Sequence, residues 1–135
     1  MSGRRTSKPV VVGGVEPILL LPWGVAIDAR VDTGARTSSI DARGVAEFDR
    51  GGEGWVGFGI PGHPDRIERR VERVAVVKSR GGGERRPVVS LEFEFAGVRL
   101  RREFTLADRG GLRYGALLGR NALRGVAVVD LGEAE

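Results

Sequence analysis

Val25, Ile27, Ala29 and Val31 fall on one parity of a strand that runs directly into Asp32-Thr33-Gly34, so a carboxylate arrives where extended backbone must turn. One face of that strand needs a core, and its end needs a rigid support. Gly34 lets neighbouring backbone approach the turn, and the Thr33 hydroxyl can donate or accept a hydrogen bond there. The remaining chain suits a fold built from such strands: of 135 residues 22 are Gly and one is Met, and long helical patterns are few. An all-β class follows. The length fits one domain, read as residues 9–135 behind a flexible basic arm at 1–8.

Short apolar runs at 10–12 and 18–21, punctuated by glycine and Pro22, read as brief strands at a rim or edge. Residues 38–41 and 45–48 read as short extended pieces, and 49–54 as a loop of turn formers. Val56, Phe58 and Ile60 then share one face, while Gly57 and Gly59 leave the other open to close approach. His63, the one histidine, lies among Pro and Gly and reads as an exposed spacer with no metal-ligand spacing around it. The apolar parity of 67–77 slips between Val71 and Val74, which predicts a bulge or a break into two strands. Val89, Leu91, Phe93 and Phe95 alternate with polar residues; after a turn at Gly97, Val98, Leu100, Phe104 and Leu106 share a parity, predicting a hairpin. Arg102 interrupts that second apolar face, so it either snorkels at an edge or faces a partner. A helix of about two turns ended by Gly125 and a strand at 126–129 complete the chain.

Val31-Asp32-Thr33-Gly34-Ala35 resembles the active-site turn of aspartic proteases, and Ala116-Leu117-Leu118-Gly119-Arg120-Asn121 resembles the second signature of their retroviral type. In that type two apolar residues and a glycine thread beside the turn, ahead of a short helix. With Glu84-Arg85-Arg86, Asp108-Arg109 and residues 125–130, the likeness extends over residues 20–130. It narrows to a retropepsin-like bacterial family labelled ATP-dependent zinc proteases. The resemblance implies a single-lobe acid-protease barrel with one short C-terminal helix. It implies catalytic roles for Asp32, Thr33 and Gly34, with the dyad completed by Asp32 of a second copy in a homodimer. Substrate contacts are expected from Ala35, Arg36, Arg86 and Arg120. Gly81, Gly82, Gly83 and Glu84 lie where the family carries a flap, although the same stretch also suits an ordinary hairpin loop.

Where retroviral proteases often carry an acid after Asp-Thr-Gly-Ala, this chain has Arg36, and the Arg120 that such an acid would pair with is still present. Two guanidiniums favour an anionic ligand, unless Arg36 pairs with Glu84, Asp41 or Asp108. The family's association with ATP-grasp ligases that append glutamates implies a glutamate-rich peptide and a ligase partner. The zinc and ATP of the label find little in the residues: one His, no Cys, no His-Glu-x-x-His, and Gly81-Gly82-Gly83 followed by Glu84 rather than by a phosphate-binding Lys. No metal or cofactor is expected, and serine-type catalysis lacks a Gly-x-Ser-x-Gly.

The net charge of +4 comes from 20 Arg and 2 Lys against 18 acids, but Arg is interleaved with Glu rather than with aromatics, which disfavours nucleic acid as a partner. No run approaches the roughly 20 apolar residues of a membrane span. Arg4-Arg5 is followed by an apolar stretch cut by Gly13-Gly14 and Glu16-Pro17, so an export signal is not expected and a cytoplasmic setting is. Opposite charges on the chain ends, Arg4, Arg5 and Lys8 against Glu133 and Glu135, could assist pairing of two copies. Two functions remain: an aspartic endopeptidase acting on acidic or glutamylated peptides, and a non-catalytic peptide-binding or regulatory domain working with an ATP-grasp glutamate ligase.

Overall fold

The structure, a computed structural model, describes residues 9–79, 81–107 and 113–132. The basic arm, the charged C-terminal residues, Arg80, Asp108 and Arg109 lie outside the described residues. In chain order the strands are β1 (Val10–Val12), β2 (Val15–Leu21), β3 (Val25–Val31), β4 (Ser38–Asp41), β5 (Arg43–Arg50), β6 (Glu53–Gly59) and β7 (Ile67–Arg70). They continue with β8 (Arg73–Ser79), β9 (Gly82–Phe95), β10 (Val98–Ala107), β11 (Ala116–Leu118), helix α1 (Arg120–Leu123) and β12 (Ala127–Val129). The all-β expectation with one short C-terminal helix holds.

Six strands close on themselves in the order β2-β3-β11-β4-β10-β9, with β9 pairing back onto β2. Closure removes the open edges that a free sheet would expose. Inside lie the residues that alternation picks out: Ile18, Leu20, Ala29, Val31, Ile40, Leu91, Phe93, Phe95, Phe104 and Leu118. Phe93 and Phe104 meet edge to face at 5.3 Å, and each large apolar side chain withdrawn from water contributes about 1.5–3 kcal/mol. The hairpin between β9 and β10 turns on Ala96 (φ 53) and Gly97 (φ 79), the left-handed pair that a two-residue hairpin turn requires.

β9 starts earlier than its apolar alternation, because its first half pairs with β8 from Arg73↔Val88 to Ser79↔Gly82. One strand therefore belongs both to the barrel wall and to a projecting hairpin whose turn carries Gly81. The parity slip between Val71 and Val74 marks the passage from β7, in a separate three-stranded sheet with β5 and β6, to β8. Val56, Phe58 and Ile67 of that sheet are buried in the common core. On its opposite face the space above Gly57 holds the Arg66 guanidinium, which donates to the Gly44 carbonyl at 2.6 Å and lies 3.1 Å from where a Cβ of Gly57 would stand.

Several local expectations need correction. β2 is a seven-residue wall strand flanked by β3 and β9, not a rim strand; Pro17 is tolerated because β9 joins only from Ile18 onward. The loop at 49–54 shrinks to a turn at Gly51-Gly52 between β5 and β6. α1 is one turn, not two, because Gly125 (φ 77) redirects the chain into β12. His63 is half-buried, its ring 6.2 Å from Trp23, whose other neighbour is the Arg69 guanidinium at 4.6 Å. β1 forms a two-stranded ribbon of its own, paired in parallel with β12. Among the described residues no helix is long and apolar enough to cross a membrane.

Candidate active site

β3 runs to Val31, and the next backbone amide, that of Asp32, donates to the Leu118 carbonyl at 2.9 Å. β11 is inserted between the strand that delivers Asp32 and the strand that leaves it: Leu118 pairs with Val31 of β3 in parallel and Leu117 with Ser39 of β4 in antiparallel register. The Asp32 turn is thereby fixed from both sides. Within it the Gly34 amide donates to Asp32 Oδ1 at 2.9 Å and the Ala35 amide to the Asp32 carbonyl at 3.2 Å, so one carboxyl oxygen is oriented by the backbone. Asp32 remains half-exposed at a depression of about 370 Å³ that it shares with Thr33, Val15, Arg30, Tyr114, Val129 and Leu131.

The 35–38 backbone closes over the second motif. Arg120 N donates to Ala35 O at 2.7 Å, Asn121 N to Arg36 O at 3.1 Å, and Arg120 Nη1 to Thr33 O at 2.9 Å. Gly119 leaves no room for a side chain: a Cβ would lie 2.8 Å from the Ala35 carbonyl oxygen and closer still to the Thr37 carbonyl. Ser38, only 1% exposed, accepts from Gly119 N at 3.0 Å and donates to Asn121 Oδ1 at 2.6 Å. Asn121 Nδ2 then donates to Glu103 O, and Arg102 Nε to Asn121 O, both at 3.0 Å. Arg102 is thus a half-buried brace between β10 and α1 rather than an edge residue.

Asp32, Thr33, Gly34, Ala35, Arg36 and Arg120 come together, as their motifs require. Gly81, Gly82, Gly83 and Glu84 form the end of the β8–β9 hairpin, and Glu84 and Arg86 line a different depression with Ala42, Gly44 and Leu106. Arg36 makes neither of two expected pairings: Glu84 is held by Arg86 at 3.1 Å and Asp41 by Arg43 at 2.8 Å. Instead Arg36 lines an open depression of about 530 Å³ with Arg120, Asn121 and Arg124. Ser38 and Arg124 went unrecognised in the sequence, and Asn121 was read only as part of the second motif. Arg124 had a usable signal, its i, i+4 spacing from Arg120; Ser38 had none, since a small hydroxyl in a strand carries no pattern.

The hairpin arm is tethered to the separate sheet. Arg85 Nε and Nη2 donate to the two carboxylate oxygens of Glu47 at 3.0 and 2.9 Å, and this hydrogen bonding holds the Glu47 carboxyl below its ordinary range. A carboxylate with a depressed folded-state pKa adds stability above its unfolded value and loses it as pH falls through the folded value. Protection of residues 82–88 against hydrogen exchange, taken relative to the intrinsic amide rate at each pH, should therefore fall below the ordinary glutamate range, and Glu47→Gln should remove that pH step. An unchanged pH profile in Glu47→Gln would show that the tether does not restrain the hairpin.

Among the described residues no three of His, Cys, Asp and Glu gather in one place, and His63 stands beside Trp23.

Comparison with known proteins agrees with the all-β barrel. Residues 11–135 match the family model described as retropepsin-like aspartic endopeptidase RimB. The chain is 37% identical over 134 residues to a probable alpha-L-glutamate ligase of Shewanella pealeana, covering 92% of this chain and 29% of the ligase. It is 36% identical over 114 residues to a probable alpha-L-glutamate ligase of Desulfotalea psychrophila, covering 78% of this chain and 24% of that protein. This chain thus spans less than a third of the curated relatives it matches. Among solved structures, Legionella pneumophila protein Lpg0085, of unknown function, superposes with a TM-score of 0.76 at 27% identity over 90% of this chain and 93% of that one. The chain belongs to the RimB-like family of retropepsin-like aspartic endopeptidases.

Proposed function

We propose that the chain, with residues 9–135 as its single domain, is an aspartic endopeptidase that works as a homodimer on acidic, glutamate-rich peptides. The observation that carries this reading is the Asp32 carboxyl, oriented by the Gly34 amide at the end of a strand clamped by β11, yet open to a depression. Aspartic proteolysis needs two carboxylates so close that both cannot ionise together: one keeps a proton to polarise the scissile carbonyl while the other takes a proton from water. One chain supplies one, so a two-fold axis beside Asp32 completes the pair. In this reading Thr33 and Gly34 shape the turn, Ala35, Arg36, Arg86 and Arg120 contact substrate, and the hairpin end at Gly81, Gly82, Gly83 and Glu84 closes over it.

The surface next to Asp32 suits a second copy. Val11, Val128 and Leu131 are 66, 53 and 63% exposed. Val11 and Val128 sit side by side on the β1–β12 ribbon, and Leu131 and Val15 border the depression that holds Asp32. Because these side chains face solvent, Val11→Glu with Val128→Glu should cost the monomer only about 1 kcal/mol, most of it from the two carboxylates standing side by side. The double variant should sediment as a monomer and lose the steeper-than-linear rise of peptidase rate with protein concentration expected of the parent. A parent rate strictly linear in concentration, from a protein that sediments as a monomer while cleaving, would sink the dimer reading.

A second reading is supported by the relatives named as ligases, which contain a stretch like this chain within a longer protein. There the domain would bind a glutamylated peptide for the ligase without cutting it. Peptide binding with no cleavage at any pH or concentration would favour that role.

A further inference from the structure

Among the described residues six exposed arginines have an acidic partner: Arg43 pairs with Asp41, Arg50 with Glu68, Arg70 with Glu53, Arg73 with Glu103, Arg85 with Glu47 and Arg99 with Glu92. One face gathers arginines that do not. Arg36, Arg120 and Arg124 line the depression of about 530 Å³ beside α1, and Arg101 and Arg102 line a second of about 440 Å³ on β10. Asn121 borders both, so the two are adjoining parts of one surface. Among the described residues none of these five guanidiniums has a carboxylate partner. Arg120 and Arg102 donate to backbone carbonyls, of Thr33 and of Asn121 and Arg101, which leave their charge uncancelled. Glu103 is the one acid among the described residues of the lining, and Arg73 already holds it at 3.1 Å.

We propose that this arginine face is an exosite that binds the acidic flank of a peptide chain outside the bond at Asp32. The inference rests on the reading of the Asp32 turn as a peptide-cleaving half-site, to which Arg120 joins the face through its bond to the Thr33 carbonyl. Guanidiniums offer carboxylates a planar two-point contact, and five of them spread over two depressions match successive carboxylates of an extended chain better than one carboxylate alone. The framework is fixed: Asn121, between the depressions, is held by Ser38, the Glu103 carbonyl and Arg102. No aromatic side chain lines either depression, so the stacking platform that single-stranded nucleic acid uses is missing, and the peptide is the better fit. The exosite adds Arg101, Arg102 and Arg124 to the residues that select substrate, and makes affinity depend on the number of acidic residues in the chain.

The test is fluorescence anisotropy of labelled octaglutamate, with diglutamate, octaglutamine and an eight-nucleotide oligothymidylate as comparisons, on full-length protein carrying Asp32→Asn to prevent cleavage. Octaglutamate should bind more tightly than diglutamate, octaglutamine should not bind, and affinity should fall with added salt. Arg101→Gln with Arg124→Gln should weaken octaglutamate binding about tenfold, roughly threefold for each exposed guanidinium removed. Arg101→Lys with Arg124→Lys should recover part of it, and thermal melting checks that all variants are folded. Octaglutamate affinity unchanged in the folded Gln variant would overturn the exosite. So would oligothymidylate binding more tightly than octaglutamate with the same dependence on Arg101 and Arg124. Peptidase activity of the chain without Asp32→Asn is measured separately, so a failure of the hydrolytic reading shows there while the binding result still decides the exosite.

Discussion

Replacing Asp32 with Asn is expected to remove peptide hydrolysis, by at least the 10²–10⁴-fold that a positioned proton-transfer group supplies, roughly speaking, while the protein keeps its fold. The amide oxygen of Asn can still accept from the Gly34 amide, and the Asp32 backbone amide keeps its bond to Leu118, so the turn stays in place. What is lost is a group able to take a proton from water or to share one with its counterpart. Mixing the variant with parent protein sharpens the result: if two copies build one site, excess variant should depress parental activity by drawing parent chains into mixed pairs with one carboxylate. Rates on an acidic peptide, read beside circular dichroism, check both parts. Full activity in a folded Asp32→Asn protein would place the chemistry elsewhere.

Gly119→Ala is expected to have the largest effect on stability, a loss of about 3 kcal/mol or more, at the upper end of overpacking costs. The added methyl would meet the carbonyls of Thr37 and Ala35. Those are backbone atoms of the loop that follows Asp32, not flexible side-chain ends that could swing away. The Ala35 carbonyl also accepts from Arg120 N, and Gly119 N donates to Ser38, so relief by movement breaks hydrogen bonds on both sides. A urea midpoint shows the loss directly. A near-parental midpoint would mean that the loop shifts freely, and the rigid support argued for the Asp32 turn would fall with it.

Much of the barrel was legible because burial leaves period-two marks. Ile18 and Leu20, Ala29 and Val31, and the run from Val89 to Phe95 point inward as their alternation says. The slip at 71–74 also told the truth, since a strand that changes sheets must change its inner face. The length of α1 and the half-burial of His63 were not legible, because each is decided by neighbours far along the chain: β12 draws the backbone away at Gly125, and Trp23 covers the imidazole. At the site, Asp32 announces itself through its motif and Gly119 through a position with no room for a Cβ. Ser38 and Asn121, which lock the two motifs together across 83 positions, are ordinary polar residues until the fold brings them within 2.6 Å. Arg36 showed how local charge misleads, because its nearest candidate acids are already held by Arg43 and Arg86.

The insertion of β11 between β3 and β4 also sets when the Asp32 turn can take its shape. The amide of Asp32 waits for a carbonyl at Leu118, and the 35–38 backbone waits for Gly119, Arg120 and Asn121. Thr33 and Arg120, which hold the two motifs together, stand 87 positions apart. Contacts of such sequence separation close long loops and slow folding. The oriented carboxylate is therefore a property of the assembled barrel, not of the strand that delivers it.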